Sequence, residues 1–372
     1  MKKIKILTVV GTRPELIRIS RVISCMDNYF TNILVHTNQN FDKNLNDIFF
    51  KDMTIRKPNY FFKNNKKKNF EFLGEIFKKI DKIIKKEKPD GFFILGDTNS
   101  CLSAYVAKRN KIPIFHFEAG NRSFDQNVPE EINRKIIDHL SDVNFTYSEN
   151  SKQNLIREGF NPEFVFKIGS PMHEVLNYYL HKINRSKILQ KLNLKKNKYV
   201  VVSIHREENL ENKKVFLIFI KNILKLTKKI NLDVIFSTHP RTREIIKKIK
   251  FKNKNKIFLN PLNFTDYNFL QKNSYIVLSD SGTINEESSI LKFDAINLRD
   301  NHERHEAMES AVTIMTKLNE NNILNAIKII KNTTNSHDIS DYQQKDVSSK
   351  IVRLIQSYVH KINKKVYFKS NK

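Results

Sequence analysis

Short apolar segments alternate along this chain with longer segments of helical periodicity, and this alternation restricts the fold more than any other feature. The apolar segments hold few polar residues, as do strands that helices cover on both faces. Strands that alternate with helices in this way form parallel α/β sheets. The first series of predicted strands is IKILTVV (4–10), NILVHT (32–37), GFFILG (91–96), IPIFHFE (112–118), VNFTYS (143–148) and EFVFKIG (163–169).

The same pattern starts again after a polar helical stretch. The second series of strands is KYVVVSI (198–204), DVIFST (233–238), KIFLN (256–260), YIVLS (275–279) and DAINLR (294–299). We therefore predict an α/β protein with two doubly wound, Rossmann-type domains, over 1–172 and 198–346, joined by a helical connector over 173–197. The C-terminal segment 347–372 begins with a helix that could pack on either domain.

Composition excludes several classes of protein. No apolar run approaches the roughly 20 residues of a membrane span. The opening MKKIKILTVV has about five apolar residues before Gly11, fewer than a signal peptide needs, and reads as a first strand. Cys25 and Cys101 form no CxxC pair, so neither a disulfide scaffold nor a zinc site is indicated. We expect a cytoplasmic protein without a metal and without a membrane partner.

The net charge of +27 is the one unusual number in the composition. A nucleic-acid-binding protein is one explanation. However, the lysines are spread over most predicted helices, as in KKIDKIIKKEK (78–88), and are not gathered around aromatic residues. The heavy use of Lys, Asn, Ile and Phe is typical of proteins from AT-rich genomes. We therefore expect no nucleic-acid partner.

Glycines mark a ligand site at the ends of the strands. Five of the eight, namely Gly11, Gly96, Gly120, Gly169 and Gly282, fall at or just after the ends of predicted strands. In open α/β sheets, ligands bind at these carboxyl ends. Neither GxGxxG nor GxxxxGK[ST] is present. The pattern predicts a phosphate-bearing ligand, but neither a dehydrogenase with a nicotinamide cofactor nor a P-loop ATPase.

Carboxylates stand where two neighbouring strands end. Asp97 follows one strand and Glu118 closes the next, so both side chains are expected at one rim of the sheet, where like charges would favour a proton on one of them. Asp97 alone would also fit a helix cap. In PEEINR, Glu131 fits a helix start. Glu130 and Arg134 fit a surface ion pair, unless the loop folds back over the other two acids.

Basic residues complete the pattern at the first strand. In VVGTRPELIR, capping-box spacing and a proline in the first turn account for Thr12, Pro14 and Glu15. They do not account for Arg13, which is expected to point over the sheet, with Arg18 in reach of the same space.

The second half holds an anion site by the same reasoning. SIHREEN and STHPR end strands with His205 and His239, each near an arginine. In LSDSGTINEES, Ser281 and backbone N–H groups at a helix start can bind phosphate, and a glutamate further in can accept hydrogen bonds from ribose. HERHE (302–306) is not an HExxH zinc motif, and its Glu303 and Arg304 more simply extend the phosphate and sugar contacts.

The motifs GTRPE, GDTNS, EAGNR, PEEINR, HREEN, THPR and SDSGTINEES, in this order, resemble the non-hydrolysing UDP-N-acetylglucosamine 2-epimerase family over about residues 4–310. The resemblance implies a GT-B-like fold with the active site in the cleft between the domains. It also implies an isomerase that inverts C2 of a UDP-activated amino sugar by eliminating UDP and adding it back. A homodimer is expected, and no cofactor.

The resemblance also assigns roles to residues. The implied catalytic residues are Asp97, Glu118, Glu130 and His205. The implied UDP-sugar contacts are Arg13, Arg18, Arg134, His239, Leu262, Tyr267, Ser281, Gly282, Thr283, Glu287 and Arg304. Among these, Glu287 would take the ribose hydroxyls, and Leu262 and Tyr267 would border the uracil.

Departures from the family pattern concern the substrate. Arg18, Asn121 and Thr283 stand where well-known members have lysine, leucine and glycine. Stretches such as EAGNRSFDQ and GSPMHEVLNYY resemble the branch that makes UDP-N-acetyl-L-fucosamine for capsule or O-antigen, although Asn38 and His305 stand where that branch usually has glycine and proline. The alternatives are an epimerase of UDP-N-acetylglucosamine, giving UDP-N-acetylmannosamine, and a GT-B glycosyltransferase, which would not need acids on both faces of the sugar.

Overall fold

The chain divides into two compact units. The first comprises Met1–Val175 and Asp341–Lys372, and the second Leu176–Ser340. The structure, a computed structural model, describes residues 3–39, 50, 53–63, 69–204, 213–229, 231–238, 256–259 and 262–369. Each unit is an α/β unit with its own parallel sheet, as the sequence predicts.

The sheet of the first unit has the strand order β3-β2-β1-β4-β5-β6-β7, and every neighbouring pair is parallel. Its first six strands follow the 3-2-1-4-5-6 order of dinucleotide-binding folds. The strands are β1 (Lys5–Val10), β2 (Thr31–His36), β3 (Tyr60–Phe61), β4 (Gly91–Leu95), β5 (Ile114–Phe117), β6 (Val143–Thr146) and β7 (Val165–Lys167).

The sheet of the second unit repeats this topology, with the order β10-β9-β8-β11-β12-β13 and all pairs parallel. The strands are β8 (Tyr199–Ile204), β9 (Asp233–Thr238), β10 (Lys256–Leu259), β11 (Ile276–Ser279), β12 (Ala295–Asn297) and β13 (Thr313–Met315). The two matching sheets confirm the predicted class of two doubly wound α/β domains.

Helices connect the strands. In the described part of the chain they are α1 (Arg13–Arg18), α2 (Ser20–Tyr29), α3 (Asn69–Glu87), α4 (Ala104–Arg109), α5 (Pro129–Leu140), α6 (Glu149–Arg157), α7 (Met172–Asn184), α8 (Ile188–Lys191), α9 (Lys213–Lys229), α10 (Phe264–Lys272), α11 (Ile284–Leu291), α12 (His305–Glu309), α13 (Glu320–Asn332) and α14 (Val347–Lys365). None of these helices is long and apolar enough to cross a membrane.

Helix α3 shows how the sequence produces these elements. Phe72, Ile76, Ile80 and Ile84 recur at intervals of four and are buried against the first sheet. The lysines of the same helix face outward, Lys85 with 69% of its side chain exposed. Much of the positive charge of this segment therefore lies on a solvated helix face.

The C-terminal helix α14 belongs to the first unit, which resolves the choice that the sequence left open. It packs against α2. Its buried residues Ile351, Ile355, Val359 and Ile362 recur at helical spacing. Beyond it, the Tyr367 hydroxyl donates a hydrogen bond of 2.9 Å to Asp142.

Candidate active site

Three loops meet at the carboxyl ends of β1, β4 and β5, which are neighbours in the order β1-β4-β5. The loop after β1 approaches the loop after β4 so closely that a Cβ on Gly11 would lie 1.9 Å from the Ser100 hydroxyl. Gly96, at φ 78°, leaves room for Glu118, whose Oε2 lies 3.1 Å from the position a Cβ would take. The expected meeting of the strand-end loops is therefore present.

Asp97 is held by an arginine from α5. Arg134, which is buried, donates to the Asp97 carboxylate from Nε at 3.0 Å and from Nη2 at 2.5 Å. The side chain of Asp97 thus reaches α5, and the helical segment that follows it in sequence begins with a turn at Cys101–Ser103. Both donors of the guanidinium reach the same oxygen, Oδ2, and these charge-assisted hydrogen bonds hold the carboxylate against α5.

Glu118 is held by a second arginine. Arg18, on α1, donates through Nη1 to Oε2 of Glu118. Glu118 also has a backbone φ of 71°, a left-handed conformation that is uncommon for a residue with a side chain. The sequence argument considered only the repulsion between Asp97 and Glu118, but each carboxylate has a guanidinium partner that compensates its charge.

Glu131, one of two adjacent glutamates in the first turn of α5, contacts Arg134. Its Oε2 accepts from Arg134 Nη1 at 2.6 Å and from the backbone N–H of Ser123 at 3.0 Å. Glu131 is fully buried, whereas Glu130 is exposed in the first turn of the helix. Glu131 is therefore more than a favourable charge at a helix start, because it connects α5 to the loop after β5.

Glu15 links the loops after β1 and β4. As the capping box predicts, its carboxylate accepts hydrogen bonds from the backbone N–H groups of Gly11 and Thr12, at 3.0 and 2.7 Å. It also accepts one from the Thr98 hydroxyl at 3.0 Å, a contact between loops that no local motif predicts. Burial raises the pKa of Glu15, although the hydrogen bonds from Thr12, Gly11 and Thr98 act in the opposite direction and lower it.

Arg13 is the first residue of α1. It directly follows Thr12, whose N–H and hydroxyl both bind Glu15. The backbone of Arg13 therefore lies just beyond the carboxyl end of β1, where the sequence predicts it.

The second unit carries the candidate anion and ribose residues. Ser281, Gly282 and Thr283 lie between β11 and α11, and the Ser281 and Thr283 hydroxyls are 3.0 Å apart. Glu287, one turn into α11, accepts from the Thr283 hydroxyl and from Gln271 Nε2, both at 2.9 Å. Burial raises the pKa of Glu287 to about 7, against these two hydrogen bonds, and Glu286 adds to the rise.

Arg299 is a residue near this loop that the sequence argument missed. It is buried, its Nη1 lies 3.8 Å from the position a Cβ on Gly282 would take, and its Nη2 donates to Glu303 at 2.8 Å. The signal was an arginine at the end of the predicted strand DAINLR, similar to the strand-end signal that singled out the histidine motifs. Arg304 is also buried, with Nη2 3.4 Å from Glu286.

The remaining predicted residues have different positions. Tyr267 lies in α10 and Leu262 just before that helix, both half-buried. His205 and His239 lie outside the described residues.

Comparison with known proteins identifies the family. The family model described as UDP-N-acetylglucosamine 2-epimerase matches residues 25–356. A UDP-N-acetylglucosamine 2-epimerase structure from Rickettsia bellii is 46% identical, with a TM-score of 0.92, and the match covers 99% of this chain and 100% of that one. The two-unit fold is thus shared over nearly the whole chain.

Two further relatives have more specific descriptions. The Methanocaldococcus jannaschii UDP-GlcNAc 2-epimerase, solved in complex with UDP-GlcNAc and UDP, is 32% identical, with a TM-score of 0.88 over 95% of this chain and 100% of that one. A Pseudomonas aeruginosa UDP-2,3-diacetamido-2,3-dideoxy-D-glucuronate 2-epimerase is 30% identical over 80% of this chain and 84% of its own length. The chain therefore belongs to the UDP-N-acetylglucosamine 2-epimerase family and is an isomerase.

Proposed function

We propose that this isomerase inverts C2 of a UDP-2-acetamido sugar by eliminating UDP and adding it back on the opposite face. One observation carries the proposal: Asp97 and Glu118 stand on adjoining strand-end loops, each held by its own arginine. Inversion requires groups that take a proton from one face of the sugar and return one to the other. Two positioned carboxylates at one rim are suited to that exchange.

The chemistry explains why UDP must leave. The C2 hydrogen has no neighbouring carbonyl to acidify it, so its removal is coupled to cleavage of the bond between C1 and the diphosphate oxygen. A base takes the C2 proton, the C–H electron pair forms the C1=C2 double bond, and UDP departs with the pair of the broken C1–O bond. Reversal of these steps with protonation from the other face gives the epimer. Asp97, Glu118 and Glu130 are the residues we assign to the proton transfers, together with His205.

Binding of UDP is assigned to a separate set of residues. A leaving diphosphate is stabilised by donors and cations placed around it, an effect that is a large part of catalysis in such reactions. Ser281 and the N–H groups at the start of α11 suit phosphate, and Glu287 suits the ribose hydroxyls. The full assigned set is Arg13, Arg18, Arg134, His239, Leu262, Tyr267, Ser281, Gly282, Thr283, Glu287 and Arg304.

For the sugar, we propose UDP-2-acetamido-2,6-dideoxy-L-talose, converted to UDP-N-acetyl-L-fucosamine for surface polysaccharide synthesis. Among Arg18, Asn121 and Thr283, which depart from the family pattern, we base the assignment on Arg18. Its side chain contacts the candidate acid Glu118. Asn121 is buried and accepts from Ser151 at 2.7 Å, and Thr283 contacts Glu287, so both have other partners. The names of the relatives support UDP-N-acetylglucosamine as the second candidate.

Proton NMR of the C2 configuration distinguishes the two sugars. We expect kcat/KM for the L-talose substrate to exceed that for UDP-N-acetylglucosamine at least about tenfold, since one unsatisfied polar contact is worth about 1–3 kcal/mol. Equal or better turnover of UDP-N-acetylglucosamine would overturn the L-sugar assignment and leave the epimerase assignment intact. We also propose a cytoplasmic homodimer, for which a monomer mass in light scattering at assay concentration would be contrary evidence.

A further inference from the structure

A buried histidine lies beneath the two candidate acids. His116, in β5, has no exposed side-chain surface and precedes Glu118 by two residues. Its Nε2 lies 2.9 Å from the carbonyl oxygen of Gly96, the residue before Asp97. Its Nδ1 lies 2.9 Å from Oδ1 of the Asp138 carboxylate. Both ring nitrogens therefore face oxygen atoms, one on the loop after β4 and one on α5.

Asp138 connects this histidine to the loop after β5. It lies in α5, is fully buried, and accepts from the backbone N–H of Gly120 at 3.3 Å and from Arg122 Nη1 at 2.7 Å. Burial alone would raise the pKa of Asp138, but the contacts with His116 and Arg122 outweigh it and hold the pKa below its usual value. Arg122 is paired in turn with Glu158, at 2.8 and 2.5 Å.

These contacts join the two loops that carry the candidate acids. Gly96 belongs to the loop that carries Asp97, and Gly120 belongs to the loop that carries Glu118. The His116–Asp138 pair thus binds both loops at once. The buried ion pair of this cluster, Arg122–Asp138, is weak evidence for stability, since apolar residues of similar volume are often neutral or stabilising. Its presence at this position therefore favours a role in geometry.

We propose that His116 and Asp138 are positioning residues, which fix the separation of Asp97 and Glu118 and so set the rate of C2 inversion. This inference rests on the proposed function. A misplacement of about 1 Å between reacting groups can cost about 10²-fold in rate. Substrate binding, which involves other residues, should depend much less on the pair.

The test compares His116→Gln and Asp138→Asn with Asp142→Asn. Asp142 is a matched control: a buried carboxylate of the same unit that binds Lys108, Tyr367 and the Ile114 N–H, at the amino end of β5. We expect kcat to fall at least about tenfold in His116→Gln and Asp138→Asn, with KM and the Kd for UDP changed by no more than about threefold. Asp142→Asn should lower thermal stability comparably and leave kcat within about twofold.

Two results would overturn the proposal. The first is a loss of kcat that follows the loss of thermal stability in all three variants. The second is a crystal structure of His116→Gln in which the Asp97 and Glu118 backbones have not moved. This structural test still applies if the wild type epimerises no UDP-sugar. That result would refute only the proposed function. If His116→Gln does not fold, Glu158→Gln loosens Arg122 at the half-exposed end of the cluster. An unchanged kcat in that variant would also count against the proposal.

Discussion

Glu130 and Glu131 are adjacent residues with opposite environments. Glu130 is exposed, whereas Glu131 is buried and paired with Arg134, which in turn holds Asp97. Because we assign Glu130 to proton transfer, Glu130→Gln should lower turnover by about 10²-fold, the usual scale for a positioned acid or base. The same substitution should barely change stability.

Glu131→Gln should give the reverse profile. Removing one partner of a buried ion pair costs about 3 kcal/mol, so urea unfolding should show a clear loss. Any fall in turnover should come through Arg134 and remain smaller than the fall in Glu130→Gln. Equal catalytic losses with equal stability losses would contradict the assignment of the two residues.

Glu287 gives a prediction for pH. The folded pKa is raised to about 7 from 4.5, so the proton is bound more tightly in the folded state. Its stabilising contribution is complete below pH 4.5 and is lost as the pH rises to about 7. Relative to wild type, Glu287→Gln should therefore gain unfolding free energy over this window, by up to about 3 kcal/mol, and level off above it. A difference that stays constant from pH 4.5 to 8 would contradict this.

At the same scale, the positions of the acids were predictable and their partners were not. Asp97 and Glu118 could be found because neighbouring parallel strands end at one edge of a sheet. The contact between Glu131 and Arg134 was not predicted, because spacings of three and four residues both permit a pair with this arginine and the sequence argument considered only Glu130. His116 was not detectable as a positioning residue, because its partner Asp138 is distant in sequence.

At the scale of elements, the sequence missed two strands for one physical reason. β3 and β13 have two and three residues and lie at the edges of their sheets. Segments this short show no measurable periodicity, and an edge strand needs only one neighbour. The central strands were evident because both of their faces are buried.

Helix α14 gives a prediction at this scale. Ile355 is fully buried in this helix, which packs on α2 in the first unit. Ile355→Ala should lower the unfolding free energy of the protein by about 2–5 kcal/mol. The exposed neighbour Gln356 provides the control, because Gln356→Ala should change it by less than about 0.5 kcal/mol. Similar small effects of both substitutions in urea unfolding would show that α14 is not part of this core.

For the whole molecule, function was predictable further than substrate. The order of seven short motifs indicated the family, and the comparisons confirmed it. The sugar could not be identified in the same way, because the three residues that depart from the family pattern have different contacts. Arg18 contacts a candidate acid, Asn121 a buried serine and Thr283 a candidate ribose residue. Such contacts depend on side-chain placement, which single-residue comparison with a family pattern does not give.

The central claim is that C2 is deprotonated and reprotonated as UDP leaves and returns. Incubation of the enzyme with its UDP-sugar in D2O, followed by proton NMR, tests it most directly. Solvent deuterium should appear at C2 of the epimerised product, with traces of free UDP and an unsaturated sugar from intermediate that escapes. A product that is inverted at C2 but retains its original hydrogen would contradict the account.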